Sequence, residues 1–105
     1  LQYLFNSQGK HIANFVNSRL HAPSGKNIGH YLPSEEIFID MEGHYLGEII
    51  HSDRLMYNRS SPYRSKTYSK QGTHSSTGSY GSPGNHSSIG NVSGYADIPP
   101  SRLNS

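Results

Sequence analysis

GKHIANFV at Gly9–Val16, GKNIGHYL at Gly25–Leu32 and GHYLGEII at Gly43–Ile50 are three versions of one unit. Each runs Gly, two mostly polar residues, Ile or Leu, Ala or Gly, a polar residue and two apolar ones. A Ser follows two residues later every time, at Ser18, Ser34 and Ser52. The four residues ending in each Gly are Asn6-Ser7-Gln8-Gly9, Ala22-Pro23-Ser24-Gly25 and Asp40-Met41-Glu42-Gly43. Type I turns favour Asn, Asp or Ser first, Pro second and Gly fourth. A turn of this type that ends in a left-handed residue is a common hairpin loop, and Gly takes positive φ without a Cβ clash. Gly9, Gly25 and Gly43 are therefore expected as structural turn glycines at three hairpin tips.

Short strands are expected on either side, at Tyr3–Asn6, His11–Val16, Arg19–Ala22, Asn27–Leu32, Glu36–Asp40, His44–Ile50 and Arg54–Tyr57. Their Ile, Val, Phe and Tyr content suits a pleated sheet. The remaining turns run through Asn17-Ser18-Arg19, Pro33-Ser34-Glu35 and His51-Ser52-Asp53. Short strands with turn signals at regular spacing describe an all-β antiparallel meander of hairpins.

Counted from the Gly, the third position (Ile12, Ile28, Leu46) and the seventh (Val16, Leu32, Ile50) are apolar. So is the sixth (Phe15, Tyr31, Ile49), which simple alternation places on the opposite face. The fourth position is small (Ala13, Gly29, Gly47), marking close packing: a bulge or a close backbone approach. Apolar groups on both faces require cover on both. A meander over residues 1–57 is read as unable to cover both its own faces, so a second subunit or the tail is expected to cover one.

Composition divides the chain at the same place. Apolar residues make up 31% of the 105, well below the usual share, and most of the Leu, Ile, Phe and Val lie in residues 1–57. Residues 58–105 read as a low-complexity, extended, irregular tail rich in Ser, Gly and Tyr, of linker composition. Its plausible anchors on its own or a neighbouring subunit are Tyr63, Tyr68, Tyr80, Ile89, Val92, Tyr95, Ile98 and Leu103. Pro99-Pro100 is expected to keep the end extended. A core carried by fewer than about 60 residues is marginal, and without Cys no disulfide can staple it. Association is the expected remedy.

Charge is uneven. The first part carries Lys10, Arg19, Lys26 and Arg54 against six acids; the second carries Arg59, Arg64, Lys66, Lys70 and Arg102 against Asp97. The net +2 is too small to imply nucleic acid by itself. Tyr63, Arg64, Lys66, Tyr68 and Lys70, with Arg59 before them, do interleave rings and cations as single-strand binders do. They are the candidate polymer-binding residues, with a solvated basic linker as the plainer reading. The chain carries 7 His, but no pair has the spacing of a zinc-enzyme motif, and they read as surface or strand-packing residues, with one His per subunit ringing a metal on a symmetry axis as the other reading. No nucleophile elbow, P-loop or dinucleotide motif is present. The expectation is a non-enzymatic protein with no catalytic, cofactor or metal-binding residues. No apolar run reaches membrane-spanning length. No signal peptide is visible, and a start at Leu1 is consistent with a trimmed or truncated product. Lack of Cys leaves the compartment open and slightly favours the cytoplasm.

The tandem unit at Gly25–Leu32, with FIDMEGHYLGEI at Phe38–Ile49 and LHAPSGKNIGHYL at Leu20–Leu32, resembles the small bacterial "4-fold β-flower" proteins. The resemblance spans about residues 3–57. It implies four chains around a four-fold axis, each a β petal, and no known reaction. The reading on these grounds is a self-assembling β-repeat protein, a symmetric homotetramer of the structural or interaction class. The alternative is a module that binds single-stranded nucleic acid or another anionic polymer through the basic tail.

Overall fold

The computed structural model describes residues 1–78 and 81–103. Among them, seven strands run in sequence order: β1 (Gln2–Phe5), β2 (His11–Val16), β3 (Arg19–His21), β4 (Asn27–Leu32), β5 (Ile37–Asp40), β6 (Tyr45–Ile50) and β7 (Arg54–Asn58). Each pairs antiparallel with the next, and β1 also pairs with β7, closing the sheet into a barrel. In an up-and-down meander of odd strand number the first and last strands run the same way, so the closing seam must be parallel. That seam is thin: Phe5 pairs with Arg54, and the Phe5 amide donates to the Asp53 carbonyl at 2.9 Å. Side chains reinforce it. Gln2 Nε2 donates to the Ser52 carbonyl at 2.6 Å, and Arg54 Nη1 to the Asn6 carbonyl at 3.2 Å.

The small fourth position has a clear geometric setting. Leu4 pairs with Ala13, Leu20 with Gly29 and Phe38 with Gly47. In each hairpin the register then skips one residue, so Ile12, Ile28 and Leu46 are bulged. A bulge advances the strand's phase by one residue. Positions three and six therefore both face inward, contrary to simple alternation. Ile12 and Phe15, Ile28 and Tyr31, and Leu46 and Ile49 all belong to or pack on the interior cluster, with Leu4, Leu20, Phe38 and Leu55. Most of the apolar excess is thus barrel interior.

The tail covers the outside. From Asn58 it makes a one-turn 3-10 segment at Pro62–Ser65 and then crosses the hairpin tips in reverse order. The Tyr68 amide donates to the Gly43 carbonyl at 2.8 Å, Thr77 to Gly25 at 3.1 Å and His86 to Gly9 at 2.8 Å. Nine residues further on, Tyr95 opens β8 (Tyr95–Asp97), which pairs antiparallel with β7. The tail is therefore a belt that leaves β7, circles the rim and returns to β7, with one contact every nine residues. The belt's start also lies on a fourth, glycine-free turn: the Ser61 amide donates to the Asn58 carbonyl, as Gly9 does to Asn6, Gly25 to Ala22 and Gly43 to Asp40.

Ile98 and Leu103 join the interior cluster at the belted end. Leu103 ends a single helical turn, α1 (Pro100–Leu103), in place of the extended end expected from Pro99-Pro100. Proline is well suited to a first helical position, where its missing N–H would be unpaired anyway. Tyr63, Tyr68, Ile89, Val92 and Tyr95 are half-buried. Tyr80, expected as an anchor with them, lies outside the described residues. Cover for both sheet faces comes from within one chain.

Candidate functional site

The hairpin tips and the belt form one construction. Gly9, Gly25 and Gly43 have φ of 83°, 99° and 88° and are buried. A Cβ at Gly9 would overlap the His86 carbonyl, at Gly25 that of Gly78, and at Gly43 that of Tyr68. Glycine is needed there for the turn and again for the belt's passage. The belt is itself shaped by a six-residue pattern: Ser76-Thr77-Gly78, Ser82-Pro83-Gly84 and Ser88-Ile89-Gly90. In each, the Gly amide donates to the Ser Oγ, at 3.2, 3.3 and 3.2 Å, and the Gly has positive φ. Such Ser-closed turns bend a chain without a helix or strand. The middle residues Thr77, Pro83 and Ile89 are half-buried.

The candidate polymer-binding residues are only partly brought together. Arg59, Arg64, Lys66 and Lys70 are exposed. Lys66 lies 5.6 Å from the Tyr63 ring centre, and Lys70 forms an exposed pair with Glu42 at 3.1 Å. Tyr63 and Tyr68 are engaged elsewhere: they pack on Ile37, Ile39 and Tyr45 on the barrel's outer face. Rings held there present little face for stacking on bases.

Under the belt lies a polar layer that sequence reading did not assemble. Asn14 of β2 pairs with His21 of β3, and Arg19 of β3 with His30 of β4. Asn14, His21 and His30 are buried, at 0%, 0% and 1% exposure. His21 Nδ1 lies 2.8 Å from the Gly25 carbonyl and His11 Nε2 lies 2.6 Å from Asn14 Oδ1. Asn14 Nδ2, His21 Nε2 and His30 Nε2 are buried with no hydrogen-bond partner among the described residues. His74 of the belt sits edge-on over His30, ring centres 5.6 Å apart, and its amide donates to Asn27 Oδ1 at 3.1 Å. Burial, then His74, Arg19 and His21, hold His30 below the ordinary imidazole pKa. Among the described residues, no three His, Asp or Glu side chains come together as a metal site.

Two clefts open at the belted end. One, of about 390 Å³, is lined by Lys26, Asp40, Glu42 and Arg102 among others. Its charges are largely spoken for: Arg102 Nη2 donates to Asp40 Oδ2 at 3.0 Å and to the Tyr45 carbonyl at 3.1 Å. The other, of about 340 Å³, lies between Lys10, His11, Pro23 and Leu103 and includes Asp97. Asp97 accepts from the Ser7 amide and hydroxyl at 2.8 and 2.6 Å. Elsewhere, the Tyr45 hydroxyl donates to Glu48 Oε1 at 2.7 Å and accepts from the Asn58 amide at 3.0 Å. Burial and Glu48 hold it well above the ordinary tyrosine range.

The opposite mouth is built differently. β2, β4 and β6 all start at tips, so their last residues gather at the far end. Phe15, Tyr31 and Ile49 there are half-buried, as are Val16, Leu32 and Ile50 beside them. Phe15, Tyr31 and Phe38 form a triangle of rings with centres 5.0–5.1 Å apart. No family model, curated protein or solved structure matches the chain.

Proposed function

We propose that this chain is a non-enzymatic β-barrel scaffold of the structural or interaction class, and that it assembles with copies of itself through the far mouth. The unequal treatment of the two barrel ends carries this reading. The belted end is plugged by Ile98 and Leu103 and ringed by residues 58–78 and 81–97, whereas the far end keeps half-buried apolar side chains at the same two positions of all three repeats. A second copy is the occupant that repetition favours, because a patch paired about a two-fold axis needs only to match itself. The small core, the two apolar faces and the low-complexity tail no longer argue for assembly, since one chain accommodates all three. The four-fold count suggested by the β-flower resemblance also has an internal counterpart, in the turns at Asn6, Ala22, Asp40 and Asn58.

Light scattering at micromolar concentration tests the reading. The wild type is expected to exceed the mass of one chain. Val16→Glu combined with Ile50→Glu, which alters the rim outside the interior cluster, is expected to return it to one chain. A wild-type mass of one chain would overturn self-assembly.

A second reading rests on the four exposed cations Arg59, Arg64, Lys66 and Lys70. With the tyrosines packed on the barrel, attraction to an anionic polymer would act on phosphate charge and fall steeply with salt. Retention of single-stranded DNA at low salt, lost in the Arg64→Ala, Lys66→Ala, Lys70→Ala variant, is the expected result. No retention by the wild type removes the reading.

A further inference from the structure

The belt meets the three glycine tips through the Tyr68, Thr77 and His86 amides, and these contact points differ in their ionisable surroundings. At the first, the Tyr68 amide meets Gly43 beside His44, whose Nδ1 lies 3.9 Å from Asp40 Oδ2. At the third, His86 stacks on Phe5 with ring centres 3.6 Å apart, and its Nδ1 lies 3.0 Å from Asp53 Oδ2. Each of these imidazoles has a carboxylate beside it. The middle contact is the opposite case. Its imidazoles are His74 on the belt, His21 on β3 and His30 on β4, with Arg19 on β3 beside them. From β2 comes neutral Asn14, and from β5 the apolar Ile39. Every charged group bearing on His30 is cationic when charged, and the buried Nε2 atoms of His21 and His30 have no acceptor among the described residues.

We propose that the belt is an acid-released strap: its middle span, His74–Thr77 over the Gly25 hairpin, lifts on acidification while the spans at Tyr68 and His86 stay seated. The docked span requires a neutral His30, whose ring is buried beneath His74, and a lifted one lets water reach it. The sign follows from linkage. His30 is held below the ordinary value in the docked state, so docking has full strength above about pH 6.5. It weakens as pH falls through that value towards the docked one, by at most about tenfold per pH unit for one excluded proton. This inference is independent of self-assembly through the far mouth.

Amide hydrogen exchange by NMR on the full chain, near pH 7.5 and near pH 5.5 and corrected for intrinsic rates, tests it. The His74 and Thr77 amides are expected to lose protection by about threefold or more at the lower pH, while those of Tyr68, His86 and Ile89 hold theirs. His30→Phe, which removes a nitrogen with no partner, is expected to abolish the selective loss. His74→Phe, on the belt side, serves the same purpose if the buried change prevents folding. Equal changes at all five amides, or selective loss that persists in a folded variant, would overturn the proposal.

Discussion

Replacing Gly29 by Ala isolates the close approach between neighbouring hairpins. Gly29 lies inside β4 with no positive φ, so an added methyl meets no conformational penalty. It meets the carbonyl oxygen of Ile39 well inside contact distance, while Leu20 Cβ and the Ile39 carbonyl carbon stand back at 3.5 Å. That oxygen cannot swing away freely, because Ile39 is paired to His30 on one side and Tyr45 on the other. Overpacking of this kind costs about 1–3 kcal/mol. Against it stands the smaller chain entropy of unfolded Ala, which contributes about 0.4–1 kcal/mol in the opposite direction. The steric cost wins, and a net loss of about 1–2 kcal/mol lowers the melting midpoint by roughly 5–15 °C for a domain of this size. Urea denaturation followed by circular dichroism, read as a lower midpoint at unchanged slope, is the assay. Ala13→Gly, at the equivalent site where a Cβ is buried, is also expected to destabilise, by lost burial and added chain entropy. A Gly29→Ala protein as stable as wild type would refute the close-approach account of the fourth position.

Two further outcomes follow from the outer face and the plug. Tyr45→Phe removes a hydroxyl that bonds Glu48 and the Asn58 amide, and is expected to cost about 1–2 kcal/mol in denaturant titration. In the wild type the same hydroxyl resists ionisation, so its contribution is intact below the ordinary tyrosine pKa of about 10 and declines as pH rises above it. Alkaline melting curves are therefore expected to fall more steeply for wild type than for Tyr45→Phe. Leu103→Ala, which empties a position 5% exposed in the interior cluster, is expected to lower stability by about 2–5 kcal/mol.

The strands were the most legible part of this chain. Every expected boundary for β1 to β7 falls within one residue of the observed one, because turn residues and apolar positions recur together in each repeat. Closure was not legible, since nothing in a periodic pattern states that β1 will meet β7. The bulge was the costlier omission. Without its phase shift, Phe15, Tyr31 and Ile49 read as a second apolar face needing cover from a second subunit or the tail, when they pack on the interior cluster. The belt was hidden by its composition. Ser and Gly signal linker on average, whereas the six-residue Ser-x-Gly spacing carries its geometry. The histidines needed the fold: His44 and His51 are exposed, but His21 and His30 are buried beneath residues more than 40 positions away in sequence.

The circuit of the belt also bears on the order in which this protein can be made. Hairpins of neighbouring residues can form as soon as they leave the ribosome, N-terminal part first. The belt cannot be laid until three tips exist to receive it, and the bond from Ser7 to Asp97 spans 90 residues. Leu103, the plug, follows all eight strands. A chain halted before that point keeps its hairpins and lacks its stopper, leaving the inward side chains at the belted end open to water. The seal on this end of the barrel is thus made after the strands that it closes.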